Sequence, residues 1–159
     1  MDVTIITVSR PEITLNVTRG AARLLTDLAY APLAEVTLPN GRRADLMAVG
    51  RRGEITIIEV KSGLEDFRVD RKWHEYLPYC DSFAFAVAPE FPREILPEEP
   101  GLMVCDGFGG AVLRDAPLTP LAPGGTAAAI MPQPEALQPV GEARVCTPRS
   151  RRTTSGWEN

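Results

Sequence analysis

Glu35-Val36-Thr37-Leu38-Pro39-Asn40-Gly41-Arg42-Arg43-Ala44-Asp45 and, after thirteen intervening residues, Glu59-Val60-Lys61 decide how the chain folds. Three strand-like runs cover residues 33–38, 42–49 and 54–62. Pro39-Asn40-Gly41 and Arg51-Arg52-Gly53 separate them, so an antiparallel three-strand meander is expected. The third run, Ile55-Thr56-Ile57-Ile58-Glu59-Val60, is apolar on both faces, which predicts a covered central strand.

Side chains alternate along a strand, so Ile57, Glu59 and Lys61 share one face. If residues 51–53 form a three-residue loop with Gly53 left-handed, residue 50 pairs with 54 and Asp45 lies opposite Glu59. If residues 39–41 do the same, 38 pairs with 42 and Glu35 lies opposite Asp45. Neighbouring strands run about 4.8 Å apart, so three carboxylates and Lys61 would then cluster. A two-residue Asn40-Gly41 turn would instead send Glu35 to the other face.

Carboxylates that close repel, and a divalent cation relieves the repulsion. All-oxygen ligands select Mg²⁺, with Mn²⁺ as the second choice, over zinc. A cation there would polarise a phosphate oxygen and acidify a water, while Lys61 orients the water or stabilises developing charge. The expected reaction is metal-dependent phosphodiester hydrolysis, with Asp45, Glu59 and Lys61 catalytic and Asp45, Glu59 and Glu35 on the metal. The plainer alternative is a structural Glu59–Lys61 ion pair.

Outward from this core, Val17, Ala21, Leu24, Leu25 and Leu28 fall on one stripe and predict a helix over residues 12–30. Residues 65–80, with Trp73, Tyr76 and Tyr79, predict a second helix with a break near Asp70. Residues 82–88 read as a strand. Four prolines in residues 89–100 imply a rigid loop. Residues 101–106 and 110–115 read as final strands around a tight turn at Gly107-Phe108-Gly109. The expected fold is a mixed α/β sheet flanked by helices, a domain over residues 10–116. Residues 117–159 hold seven prolines and four glycines without periodicity, which predicts a disordered tail.

Composition narrows the function. Lys and Arg total 17 against 21 Asp and Glu, a net charge of −4, so a bulk basic nucleic-acid coat is excluded and any DNA contact must be local. Three cysteines without CxxC spacing read as free thiols, and the lone His74 cannot build a histidine metal site. No apolar run approaches the roughly 18 residues of a membrane span, and no signal sequence is evident, so no membrane partner and a cytoplasmic setting are expected.

Arg10-Pro11-Glu12-Ile13-Thr14, Glu35 to Asp45, Gly53 to Ser62 and Lys72-Trp73-His74-Glu75-Tyr76 resemble the MmcB family of DNA-repair-related proteins. The arrangement also resembles the PD-(D/E)XK nuclease superfamily. The resemblance runs from about residue 10 to 115. It implies a restriction-endonuclease-like fold, a DNA repair role in a bacterial cytoplasm, and DNA and other repair proteins as partners. A second copy of the chain is a further candidate partner, because many nucleases that cut both strands are homodimers. Asp45 and Glu59 match the metal-binding acids and Lys61 the active-site lysine, with Ala44 where the motif proline usually stands. The Pro/Gly-rich end departs from the basic amphipathic helix that the resemblance implies. Arg42, Arg43, Arg51 and Arg52 at hairpin tips, with Lys72 and Tyr76 on the second helix, are the expected DNA contacts. The rival function is a catalytically silent protein that binds DNA or a repair partner on the same fold.

Overall fold

A computed structural model of the chain describes residues 9–65 and 72–121. The expected tail beyond Leu121, Cys146 and the helical reading of residues 66–71 lie outside the described residues.

α1 spans Arg10–Asp27, with Ser9 as its N-cap and a proline in its first turn, where a missing N–H costs nothing. It ends in a tight C-terminal motif. Tyr30 N–H reaches Leu25 O, Ala29 N–H reaches Thr26 O, and Ala29 takes a left-handed φ of 66°. The helix therefore stops short of the expected residue 30, and Leu28 leaves the apolar stripe and is half-exposed. Six strands follow: β1 Ala31–Thr37, β2 Arg43–Val49, β3 Ile55–Lys61, β4 Ser82–Val87, β5 Gly101–Cys105 and β6 Gly110–Arg114. They lie in chain order in one sheet. β1–β2 and β2–β3 are antiparallel, β3–β4 and β4–β5 parallel, and β5–β6 antiparallel.

Both hairpins use three-residue loops. Leu38 N–H donates to Arg42 O across one and Gly50 N–H to Glu54 O across the other. Gly41 (φ 80°) and Gly53 (φ 84°) supply the left-handed residue each loop needs. Every residue of β3 is buried, as a central strand requires.

The sheet is covered on both faces. Val17, Ala21 and Leu25 of α1 pack on Leu46, Ala48, Ile58, Val60 and Ala84. On the other face Trp73, Tyr76 and Cys80 pack on Met47, Ile57, Phe83 and Phe85. Here the structure corrects the expected second helix. Trp73–Tyr79 is a 3-10 helix, and Pro78 within it has no N–H for regular helical bonding. With about three residues per turn, Trp73, Tyr76 and Tyr79 share the sheet-facing side, and Lys72 is exposed beside them.

Candidate metal and nucleic-acid site

The hairpin registers carry Asp45 opposite Glu59. The β2–β3 ladder runs to Leu46↔Ile58, and at the next step the Asp45 carboxylate takes the place of a backbone acceptor. Its Oδ2 accepts the Val60 N–H at 2.8 Å. That bond fixes Asp45 at the mouth of the sheet, on the face it shares with Glu59.

Glu59 sits almost entirely out of water, at 5% exposure, and Lys61 is equally buried on the same strand face. Glu59 is hydrogen-bonded to the Asp45 carboxyl and to Tyr76. Its Oε2 is nonetheless buried with no partner. Burial, then the hydrogen bond to Asp45 and its negative charge, push Glu59 up from 4.5 to about 8, while Tyr76 and the Lys61 charge pull it back. A carboxyl in hydrogen-bond contact with another holds its proton more tightly, because like charges at that range oppose ionisation.

An open cleft of about 490 Å³ leads to this pair. Asn40, Arg42, Arg43, Glu75 and Tyr76 form its walls together with the two acids. The Tyr76 ring stacks on Phe83 with centroids 5.7 Å apart, so its body belongs to the core. Its hydroxyl stands at the acids and lies 3.3 Å from Arg43 O. One residue thus serves the packing and the site at once.

Glu35 does not join the cluster. The register places it opposite Asp45, since Ala34 pairs with Leu46 and Val36 with Ala44. However, its backbone is left-handed, with φ 55°. This breaks the strand alternation: Leu33 and Val36 both pack on the Trp73 side of the sheet, where a regular strand would send them to opposite sides. The Glu35 carboxylate is turned outward, 70% exposed and 3.7 Å from Arg43. Among the described residues no three His, Cys, Asp or Glu side chains converge, so the expected third acid is corrected to a surface ion pair.

The basic residues divide. Arg42 and Arg43 line the cleft. Arg51 and Arg52 cap the β2–β3 turn, at the other end of β2 and exposed, roughly 20 Å of strand from Asp45. Lys72 precedes the 3-10 helix and is not among the cleft walls. Asn40 and Glu75 are cleft residues that the sequence reading did not single out. Their one signal was Glu75 lying beside Tyr76 in a segment chosen for its aromatics.

The remaining motifs are structural. Asp106 Oδ1 accepts the N–H groups of Phe108 and Gly109, making the glycine-rich stretch a tight turn. Cys80 and Cys105 are free, buried thiols. No helix among the described residues is long and apolar enough to cross a membrane.

A family model described as DNA repair protein MmcB-like matches residues 1–133. Among solved structures, SPO1766, a protein of unknown function from Silicibacter pomeroyi, is 38% identical, with a TM-score of 0.71. The match covers 74% of this chain and 80% of that one. No curated protein matches.

Proposed function

The chain belongs to the MmcB-like family of DNA repair proteins, and from that footing we propose that it acts in DNA repair as a Mg²⁺-dependent nuclease of the PD-(D/E)XK type. The observation that carries this reading is the Asp45–Glu59 carboxyl pair, with Glu59 Oε2 buried and unpartnered at the end of a cleft. An orphaned acceptor of that kind is costly in a folded protein unless a ligand satisfies it. Two carboxylates fit Mg²⁺, which commonly takes one or two from the protein and the rest of its shell from water and phosphate oxygens. Mn²⁺ suits the same donors.

Asp45 and Glu59 would hold such a cation, which would supply Lewis acidity towards a phosphodiester oxygen and lower the pKa of a water. The chain's own residues do the rest. Val60 N–H holds Asp45 in place. The buried Lys61 ammonium favours ionised Glu59 and stabilises negative charge developing on phosphorus. The core-packed Tyr76 ring walls the cleft, and its hydroxyl orients Glu59. Arg42 and Arg43 attract the DNA backbone without reading bases, so structure-selective binding is expected.

Cleavage of nicked, branched and single-stranded DNA by the purified full chain tests this. The expected result is product that requires Mg²⁺ and disappears in Lys61→Ala, with DNA binding retained. Binding without cleavage under Mg²⁺ or Mn²⁺ would replace the nuclease with the catalytically silent DNA-binding protein.

A further inference from the structure

The cleft rim carries an ion pair that the proposed chemistry does not use. Arg42 Nε donates to Glu75 Oε2 at 2.5 Å, and the Arg42 guanidinium stands 6.0 Å from the centre of the Tyr76 ring. The hairpin tip is pinned at the same place. Arg42 N–H donates to Asn40 Oδ1 at 3.0 Å, and Asn40 Nδ2 donates to Glu75 O at 3.0 Å. In a 3-10 helix that carbonyl would receive the N–H of residue 78, but Pro78 has none, so the Asn40 amide takes it. The two attachments are independent: the backbone oxygen of Glu75 holds the hairpin, and its carboxylate holds the charge of Arg42.

Arg42 is only 23% exposed and Glu75 is 48% exposed, so the pair sits at the cleft rim rather than in open solvent. A guanidinium presents the same donors to a carboxylate and to a phosphate. Arg42 lies three residues from Asp45 along the chain, about 10 Å in extended backbone. Its guanidinium rests on Glu75 and beside the Tyr76 ring, in the same cleft as the acid pair, which suits a phosphate flanking the one at the acids. We propose that Glu75 occupies the subsite for a flanking backbone phosphate on Arg42, so that DNA enters by displacing this carboxylate from the guanidinium. The cleft is thereby self-masked: an approaching phosphate must compete with an internal anion, and the hairpin keeps its place throughout because the Asn40 bond is to backbone.

This inference rests on the DNA-binding reading above and deepens it. It is tested by fluorescence anisotropy of the full-length protein with a short labelled single strand, in EDTA to prevent cleavage, across a salt series. The variants are Glu75→Gln, Arg42→Gln and the double variant. Glu75→Gln keeps size and the Asn40 bond and removes the charge, and thermal unfolding of each variant checks its fold. Glu75→Gln is expected to bind about fivefold tighter at low salt, with the log–log salt slope steeper by about 0.7 for one added phosphate contact. In the Arg42→Gln background the same change should bring neither gain. If wild type binds and Glu75→Gln does not bind tighter, the subsite proposal falls and DNA binding stands. A gain that persists without Arg42 also overturns it, as a general charge effect. If none of the proteins binds DNA, both readings fall together.

Discussion

Glu59→Gln separates stability from function at one atom position. The folded-state value of Glu59 stands at about 8, above its ordinary 4.5, so the folded protein holds a proton that the unfolded chain releases. The sign follows directly. The contribution of Glu59 to the stability of the metal-free protein is greatest below pH 4.5, falls as pH rises towards 8, and levels off beyond. From 4.5 up to pH 7, at ~1.4 kcal/mol per unit, the penalty is on the order of 3 kcal/mol. An amide does not ionise and fits the same space, although it loses part of the contact with Asp45. A net gain on the order of 1 kcal/mol is therefore expected near pH 7, or roughly 4–8 °C in unfolding midpoint. The same substitution removes a metal ligand. Millimolar Mg²⁺ should raise the wild-type midpoint and leave Glu59→Gln unmoved, because a ligand stabilises only the state that binds it. The assay is thermal unfolding from pH 5 to 9, in EDTA and in Mg²⁺. If the metal-free variant shows the same decline between pH 5 and 8 as the wild type, Glu59 is not the group that carries the buried proton. If Mg²⁺ stabilises both equally, the cation binds elsewhere.

Other expectations concern the frame around the site. Calorimetric titration of Mg²⁺ near pH 7, in buffers of different ionisation heat, should report release of about one proton per cation, because the cation replaces the proton on Glu59. Ala29→Gly should stabilise the protein by ~1 kcal/mol in denaturant unfolding, since Ala29 holds φ 66° at the C-terminus of α1, where glycine carries no steric penalty. Gly20→Ala should destabilise by ~2 kcal/mol or more. Its Cβ would meet Asp106 O and Gly109 O at 2.0 and 2.5 Å, backbone atoms that cannot yield without moving α1 off the β5–β6 turn. Cys80 and Cys105 should stay unreactive to a thiol reagent at pH 8 until the protein unfolds, because burial pushes both up to about 12.

The meander and the facing of Asp45 and Glu59 were legible in the sequence because both depend on local rules. A three-residue loop ending in a left-handed glycine sets a hairpin register, and the two-residue period of a strand then assigns every side chain to a face. The same period placed Lys61 beside Glu59, and the two-sided apolar run marked β3 as central. Those rules do not reach Glu35. Its register was right, but one positive φ rotated its carboxylate into solvent, and no residue type in that stretch signals the rotation. They also do not separate Arg51 and Arg52 from Arg42 and Arg43, which look alike as turn-tip pairs until the strand between them puts them at opposite ends of the sheet.

What only the tertiary structure decided is the closing wall of the cleft. A regular α-helix would put Lys72 and Tyr76 on one face, whereas Pro78 and the packing of Trp73 and Tyr76 on Phe83 and Phe85 tighten the segment into a 3-10 helix. That turn brings Tyr76 to Glu59 and Glu75 to Arg42, partners 17 and 33 residues apart in the chain. The sequence by itself determined the register that faces Asp45 with Glu59. The depth of Glu59, its unpartnered oxygen and the ion pair at the cleft rim come from desolvation and long-range packing, which no local pattern encodes.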